Sequence, residues 1–272
     1  LKLNNDDLVW NIKKNILNTI APDLKDSLNY GFYQPSTAFK AAKYLDEDRS
    51  LREYNLEEGT TLQQLIVKKK IYKASTLNTK KLKELNVKSN KKKFIQYIQD
   101  GTVVKVARLI DKGLDPNFID TETGECPLTL SAQLTNPQQI MTSLVEGGAH
   151  LDFRNRDGWT AMHRAAHLNN LPALQALLNF GASANYQDEN GLTPLYNSIL
   201  TNSNPSCAGA LLRDFALLGI VDGQGNTELH QACKLGRVQH LDLLISYGAD
   251  LNCQNNTGNT PLHLCAMHNQ VS

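Results

Sequence analysis

The sequence is poor in the features that most directly betray chemistry or membrane residence. No run reaches the roughly eighteen consecutive apolar residues that a membrane-crossing helix needs, so no segment reads as a span. Cysteine is scarce. Cys126, Cys207, Cys233, Cys253 and Cys265 make five, an odd number with no CxxC pair. That excludes a disulfide-built scaffold and reads as free thiols in a reducing, cytosolic compartment. An initiating Met is also missing, and the opening Leu1-Lys2-Leu3 reads as the start of an excised fragment. No nucleophile, base and orienting group share a recognisable motif, which argues against an enzyme. What remains is an ordinary globular composition, 41% hydrophobic and 20% charged over 272 residues, with room for two domains.

The net charge of +1 conceals a division. Residues 1–93 carry 19 Lys and Arg against 11 Asp and Glu, a net of +8, whereas residues 94–272 carry 9 against 16, a net of −7. Halves of opposite sign can dock on each other, and each can attract a partner of opposite charge.

The acidic half is repetitive. Thr123-Gly-Glu-Cys-Pro-Leu128, Asp157-Gly-Trp-Thr-Ala-Met-His163, Asn190-Gly-Leu-Thr-Pro-Leu-Tyr196, Gln224-Gly-Asn-Thr-Glu-Leu-His230 and Thr257-Gly-Asn-Thr-Pro-Leu-His263 are copies of one phrase. Their glycines, Gly124, Gly158, Gly191, Gly225 and Gly258, are spaced 34, 33, 34 and 33 residues apart, the period of ankyrin repeats. A second phrase recurs as Gly113-Leu-Asp-Pro-Asn117, Gly148-Ala-His-Leu-Asp152, Gly181-Ala-Ser-Ala-Asn185 and Gly248-Ala-Asp-Leu-Asn252. Thr160, Thr193, Thr227 and Thr260 are placed to cap a first helix, and Pro194 and Pro261 to occupy its first turn. A second helix follows, with Leu174, Leu177 and Leu178, or Leu241, Leu243 and Leu244, on its buried side. An atypical first repeat from Lys93 keeps only an apolar second helix (Val103, Val106, Ala107, Leu109, Ile110), as a terminal cap requires. The fourth repeat departs, with Phe215-Ala216-Leu217 in place of Gly-Ala-Asp. The last copy stops after one helix, and the array is expected to continue beyond Ser272.

In the basic half, Val9, Ile12, Ile16, Leu17 and Ile20 fall on one helical face after Asp6 and Asp7, predicting a capped helix over 8–20 that ends before Pro22. Asn29–Gln34 and Thr61–Val67 read as strands, Tyr44-Leu45 as a shorter one, and Asp46–Tyr54 as a turn plus short helix. Leu1–Leu3 reads as the end of an earlier strand. This order is that of ubiquitin-like and Ras-association folds with the first strand cut away.

Longer phrases carry a closer resemblance. Asp26-Ser-Leu-Asn-Tyr-Gly-Phe-Tyr-Gln-Pro35, Lys43-Tyr-Leu-Asp-Glu-Asp-Arg49, Lys105–Asn117, His230-Gln-Ala-Cys233 and Val238-Gln-His-Leu241 resemble the N-terminal region of the Shank (ProSAP) scaffold family. The resemblance implies an α+β chain: a ubiquitin-like SPN domain at 1–72, truncated at its N-terminus, a Lys-rich connector at 73–92, and an all-α ankyrin solenoid of about five and a half repeats at 93–272. It further implies a non-enzymatic scaffold without cofactors, in the cytoplasm at the postsynaptic density or cell cortex. Its SPN domain would bind GTP-loaded Ras and Rap GTPases and pack back onto the ankyrin array. The array would bind cytoskeletal and signalling partners such as spectrin and sharpin. Lys2, Lys13 and Lys14 fall on the surface that would meet the GTPase, where a positive edge would steer an acidic partner; the alternative is a solvated lysine face.

Eleven lysines between Lys68 and Lys93 face only Glu84. They could seat on the acidic half, bind anionic lipid or keep a connector soluble; Leu77, Leu82, Leu85 and Val87 among them favour an ordered connector touching both domains. Few aromatics and no recognised motif argue against nucleic acid. His163 and His167 have the spacing of a zinc pair but no third ligand, and the recurrence of His at 230 and 263 assigns His163 to the repeat. The positions that the repeat leaves free are the candidates for partner binding: Arg156, Asp157 and Trp159 at a finger tip, then Arg164, His167 and Leu168, and Gln231, Lys234 and Leu235 on the concave side of the first helices. Trp159 is either an interface hot spot or a ring packed on a neighbouring finger or on the basic domain.

Overall fold

A computed structural model of the chain describes residues 6–20, 29–34, 43–45, 47, 49–54, 66–69, 87–201 and 204–270. The chain divides into two compact units, 1–74 and 75–272. Leu1–Leu3, Pro22, residues 61–65 and the connector leucines lie outside the described residues.

In the first unit, the apolar stripe of the sequence forms α1 (Val9–Ile20). Its first amides are satisfied by backbone, with Trp10 N–H donating to Glu47 O and Val9 N–H to Arg49 O, both at 2.9 Å. Asp6 meanwhile pairs with exposed Arg52 at 2.7 Å. Strands β1 (Tyr30–Gln34), β2 (Lys43–Tyr44) and β3 (Ile66–Lys69) make an antiparallel sheet in the order β2-β1-β3. Tyr33 pairs with Tyr44 on one side and with Ile66 on the other. A 3-10 turn at Leu51–Tyr54 completes the core, in which Val9, Ile12 and Ile16 meet Phe32, Leu45, Leu51 and Tyr54. Each such side chain contributes about 1.5–3 kcal/mol by leaving water.

Lys13 lies in that helix face and corrects the reading of it as a surface cation. It is fully buried, with Nζ 2.5 Å from Glu47 Oε1 and 4.8 Å from the centre of the Trp10 ring. The reason is positional: residue 13 is four after Val9 and three before Ile16, inside the stripe that packs inward. A buried Lys requires a counter-charge, and Glu47 supplies it. Lys14, one position round the helix, is half-buried. Lys2 lies outside the described residues.

The second unit is a stack of helical pairs. They are α2 (Lys88–Gln99) with α3 (Val103–Asp111), α4 (Pro127–Ser131) with α5 (Gln138–Glu146), and α6 (Ala161–His167) with α7 (Leu171–Asn179). Next come α8 (Pro194–Leu200) with α9 (Ser206–Arg213), then α10 (Glu228–Leu235) with α11 (Val238–Ser246), and last α12 (Pro261–Met267). One core runs from Phe94 to Leu244 through every pair, so each repeat is stabilised by its neighbours. The five phrase glycines share φ values of 76–80°, which other residues adopt at a cost, and this explains their strict spacing.

The first-helix phrase works as a two-sided clasp. Thr160 caps α6, its N–H donating to His163 Nδ1 at 3.2 Å, while His163 Nε2 meets Leu192 O of the next finger at 3.1 Å. His230 repeats this, from Thr227 N–H to Asn259 O at 2.9 Å. Tyr196 stands at the same place in the fourth repeat, and its hydroxyl reaches the equivalent carbonyl, Asn226 O, at 3.2 Å. Side chains of two chemistries thus approach one backbone carbonyl, that of the residue before the next cap.

A second clasp sits after the outer helices. Asn117 donates to Gly148 O and accepts from His150 N–H, both at 2.8 Å. Asn185 does the same to Phe215 O at 3.1 Å and Leu217 N–H at 2.8 Å. In the fourth repeat Gly219 occupies the Asn position and has no side chain to offer. There Glu228, standing where three of the other four copies have Pro, accepts from Gly219 N–H at 2.9 Å and Ile220 N–H at 3.1 Å. The two departures from the repeat therefore meet in space.

Candidate partner-binding site

The finger between α5 and α6 is built on Asn155. Its Oδ1 accepts from Asp157 N–H at 3.1 Å and Trp159 N–H at 2.8 Å, and its Nδ2 donates to Glu125 at 3.0 Å. Arg156 is exposed and ties this finger to the preceding one, donating to Thr121 O at 3.0 Å. Asp157 is exposed at the tip. Trp159 is half-buried and held within its own repeat: the Arg164 guanidinium lies 5.0 Å from its ring centre and the His167 ring is also centred 5.0 Å away, tilted by 57°. Such a cation–π contact is worth about 0.5–2 kcal/mol. Arg164 is oriented in turn by an ion pair with the buried carboxylate of Glu125 from the preceding repeat. Leu168 is 47% exposed beside this cluster. Burial, reinforced by the Arg164 charge, lowers the pKa of His167.

The structure thus brings Trp159, Arg164, His167 and Leu168 together, with Glu125 as a support that sequence reading missed. The signal for Glu125 was weak, a charged residue inside a repeat phrase. Gln231, at the position equivalent to Arg164, departs from the reading of it as surface. It is 8% exposed and donates to Asp222 Oδ2 at 2.8 Å. Asp222 also accepts from the Tyr196 hydroxyl at 2.9 Å and from Asn226 N–H at 2.9 Å. Burial pushes Asp222 up, but the hydrogen bonds from Asn226 and Tyr196 outweigh it and hold the carboxyl below its usual range. Lys234 and Leu235 are half-buried at the end of α10. Both nitrogens of His163 are taken by the clasp, and among the described residues no cluster of three His, Cys, Asp or Glu could hold a metal ion. Nor is any described helix long and apolar enough to cross a membrane.

Overlapping matches to the profile for ankyrin repeats (3 copies), over residues 94–188, 132–217, 163–255 and 202–272, cover the stack of helical pairs. The chain belongs to the ankyrin-repeat family. It is strongly homologous to the Shank family: human SH3 and multiple ankyrin repeat domains protein 2 is 47% identical over 274 residues, covering the whole of this chain and 15% of that protein. The mouse SH3 and multiple ankyrin repeat domains protein 1 is 46% identical over 89% of the chain and 11% of its own length. The chain therefore spans under a sixth of these relatives. Among solved structures, the ankyrin repeat domain of Bcl-3, a member of the IkappaB family, matches with a TM-score of 0.58 and 26% identity, over 63% of this chain and 76% of that one.

Proposed function

We propose that this chain is a non-enzymatic adaptor whose ankyrin array captures a protein partner on the surface around Trp159. The observation that carries this is the ring itself: half-exposed, fixed by Arg164 and His167, and flanked by exposed Leu168 on a rigid stack. An aromatic anchored before binding loses little freedom on binding, which is the economy of an interface hot spot. Spectrin-like and sharpin-like proteins are the partners to try first, from the Shank homology, with a cytoplasmic site of action at the postsynaptic density or cell cortex. The test is calorimetric titration of such partners against the chain and its Trp159→Ala and Leu168→Asp forms. Loss of binding in both supports the reading; undiminished binding moves the interface elsewhere.

The first unit is proposed as a ubiquitin-like SPN domain that binds GTP-loaded Ras or Rap GTPases and docks on the ankyrin array. The helix packed on an antiparallel sheet supports that fold. Lys2 and Lys14 remain the candidate contacts. A second reading, in which the basic unit is only an intramolecular clamp, is favoured by the burial of Lys13 against Glu47, which removes one cation from the proposed GTPase surface. Titration of the chain against a GTPase loaded with a GTP analogue and separately with GDP distinguishes the two. Binding of the GTP form alone supports an effector domain, and binding of neither supports the clamp.

A further inference from the structure

The turn that closes the fourth repeat departs from the other copies in one direction, toward apolar residues. Where Phe215 stands, the others have Gly113, Gly148, Gly181 and Gly248; where Leu217 stands, they have Asp115, His150, Ser183 and Asp250. Val221 takes the place of Arg154, Gln187 and Gln254 in three copies and of Ile119 in the first. All three side chains are open to solvent, Phe215 being 85% exposed, Leu217 52% and Val221 50%. Phe215 also holds a φ of 60°, in the left-handed region where the four equivalent glycines lie at 84–105°. A side chain there costs stability, and a ring so exposed recovers little of it by burial within the chain. An outlier that the fold does not need points to a use outside the fold, and exposed apolar groups gathered on one turn point to an interface.

The same turn adjoins a hollow. It lies between α7 and α9, has a volume of about 220 Å³, and is lined by Leu178 and Ala210 together with Arg213 and Asp214, the two residues before Phe215. That is below the ~300–1,000 Å³ of small-molecule sites and on the scale of one aromatic side chain. Arg213 and Asp214 are exposed, and neither forms an ion pair among the described residues. Their charges cancel, so the patch offers a membrane or a polyanion no field of one sign. A knob, a hollow and two opposite charges side by side are what a surface needs to meet a copy of itself, because a two-fold axis presents each element to its complement.

We propose that this face is a self-association surface: two copies of the chain meet about a two-fold axis, with Phe215 of each seated in the hollow of the other and Arg213 of each paired with Asp214 of the other. Leu217 and Val221 flank the contact and exclude water from it. The backbone cost at Phe215 is then offset in the dimer and not in the single chain. Two joined chains present two copies of the Trp159 surface, so a partner with two matching segments gains avidity. That consequence rests on the Trp159 reading, whereas the contact itself does not. The competing route to association is the exposed apolar face of α12, where Leu262 is 76% and Met267 66% exposed.

Sedimentation equilibrium of the chain over a range of concentrations tests the contact. The expected result is a mass that rises from one chain to two and no further. Phe215→Gly should weaken the association by roughly tenfold or more. Because glycine relieves the left-handed backbone, this variant should melt no lower in urea than the wild type, so misfolding cannot account for the loss. Arg213→Asp and Asp214→Arg should each weaken the dimer, and the two together should restore it, since the swapped charges again face each other across the axis. A chain that stays single at every concentration overturns the proposal. So does association that survives Phe215→Gly, or that is lost in Leu262→Asp instead, which would place the contact at the end of the stack.

Discussion

Glu228 offers the sharpest test of how the array is held. The carboxyl is 1% exposed, yet both oxygens accept backbone N–H groups, from Gly219 and Ile220. Burial dominates and pushes its pKa up to about 7, against the partial compensation of those hydrogen bonds. A folded pKa above the unfolded value of 4.5 means that the folded chain binds the proton more tightly. The stabilisation is therefore full below about pH 4.5 and is lost as pH rises through about 7. The rise from 4.5 to about 7 corresponds to ~3 kcal/mol, between two and three decades in the opening equilibrium of this junction. Glu228→Gln abolishes the titration and offers one acceptor where two N–H groups wait, at a cost of ~1–3 kcal/mol. Amide hydrogen exchange at Gly219 and Ile220, measured at pH 5 and pH 8 and corrected for intrinsic rates, reads the junction directly. The wild type should lead the variant by clearly more at pH 5 than at pH 8. A lead that does not change with pH would refute the assignment of a buried, weakly acidic carboxyl.

Phe215 has a φ of 60° where other repeats have glycine, and its side chain is 85% exposed, so Phe215→Gly should stabilise the array by ~1 kcal/mol in a urea melt, since the left-handed backbone costs a non-glycine residue ~1–2 kcal/mol. Lys13→Ala leaves Glu47 buried without its counter-charge and should cost ~3–5 kcal/mol, whereas the double change Lys13→Met with Glu47→Leu should restore most of the loss; thermal melts of the three forms decide it. Burial pushes the pKa of His163 down to about 3, below its unfolded value of 6.5, so its contribution is full above about pH 6.5 and falls by up to ~1.4 kcal/mol per unit as pH drops toward 3. Relative to wild type, His163→Gln should flatten that acid limb in denaturant melts across pH 4–7, and an unchanged slope would rule out a buried neutral imidazole.

The architecture of the ankyrin stack follows from local chemistry that the sequence displays. The 33- and 34-residue spacing, the glycines at positive φ, and the caps at Thr160, Thr193, Thr227 and Thr260 are consequences of nearest-neighbour chemistry, and each could be read from the letters. Helix α1 was equally legible from its apolar period. Lys13 has a place between Val9 and Ile16 that puts it in the inward stripe, but Glu47, the partner that allows a charge there, lies 34 residues away.

Tertiary structure alone decided the rest, because it depends on which side chains from different repeats arrive at the same point. Arg164 became a support for Trp159 only through Glu125, 39 residues earlier, and Gln231 turned inward only because Asp222 was there to accept its amide. Glu228 stands outside the Thr-Pro-Leu-His pattern, and its role comes from Gly219 and Ile220 in the adjoining turn, whose N–H groups it accepts. A linear pattern specifies each repeat up to its own caps and turns; the contacts that make two repeats complementary are set by long-range pairs, whose members the repeat period alone does not name.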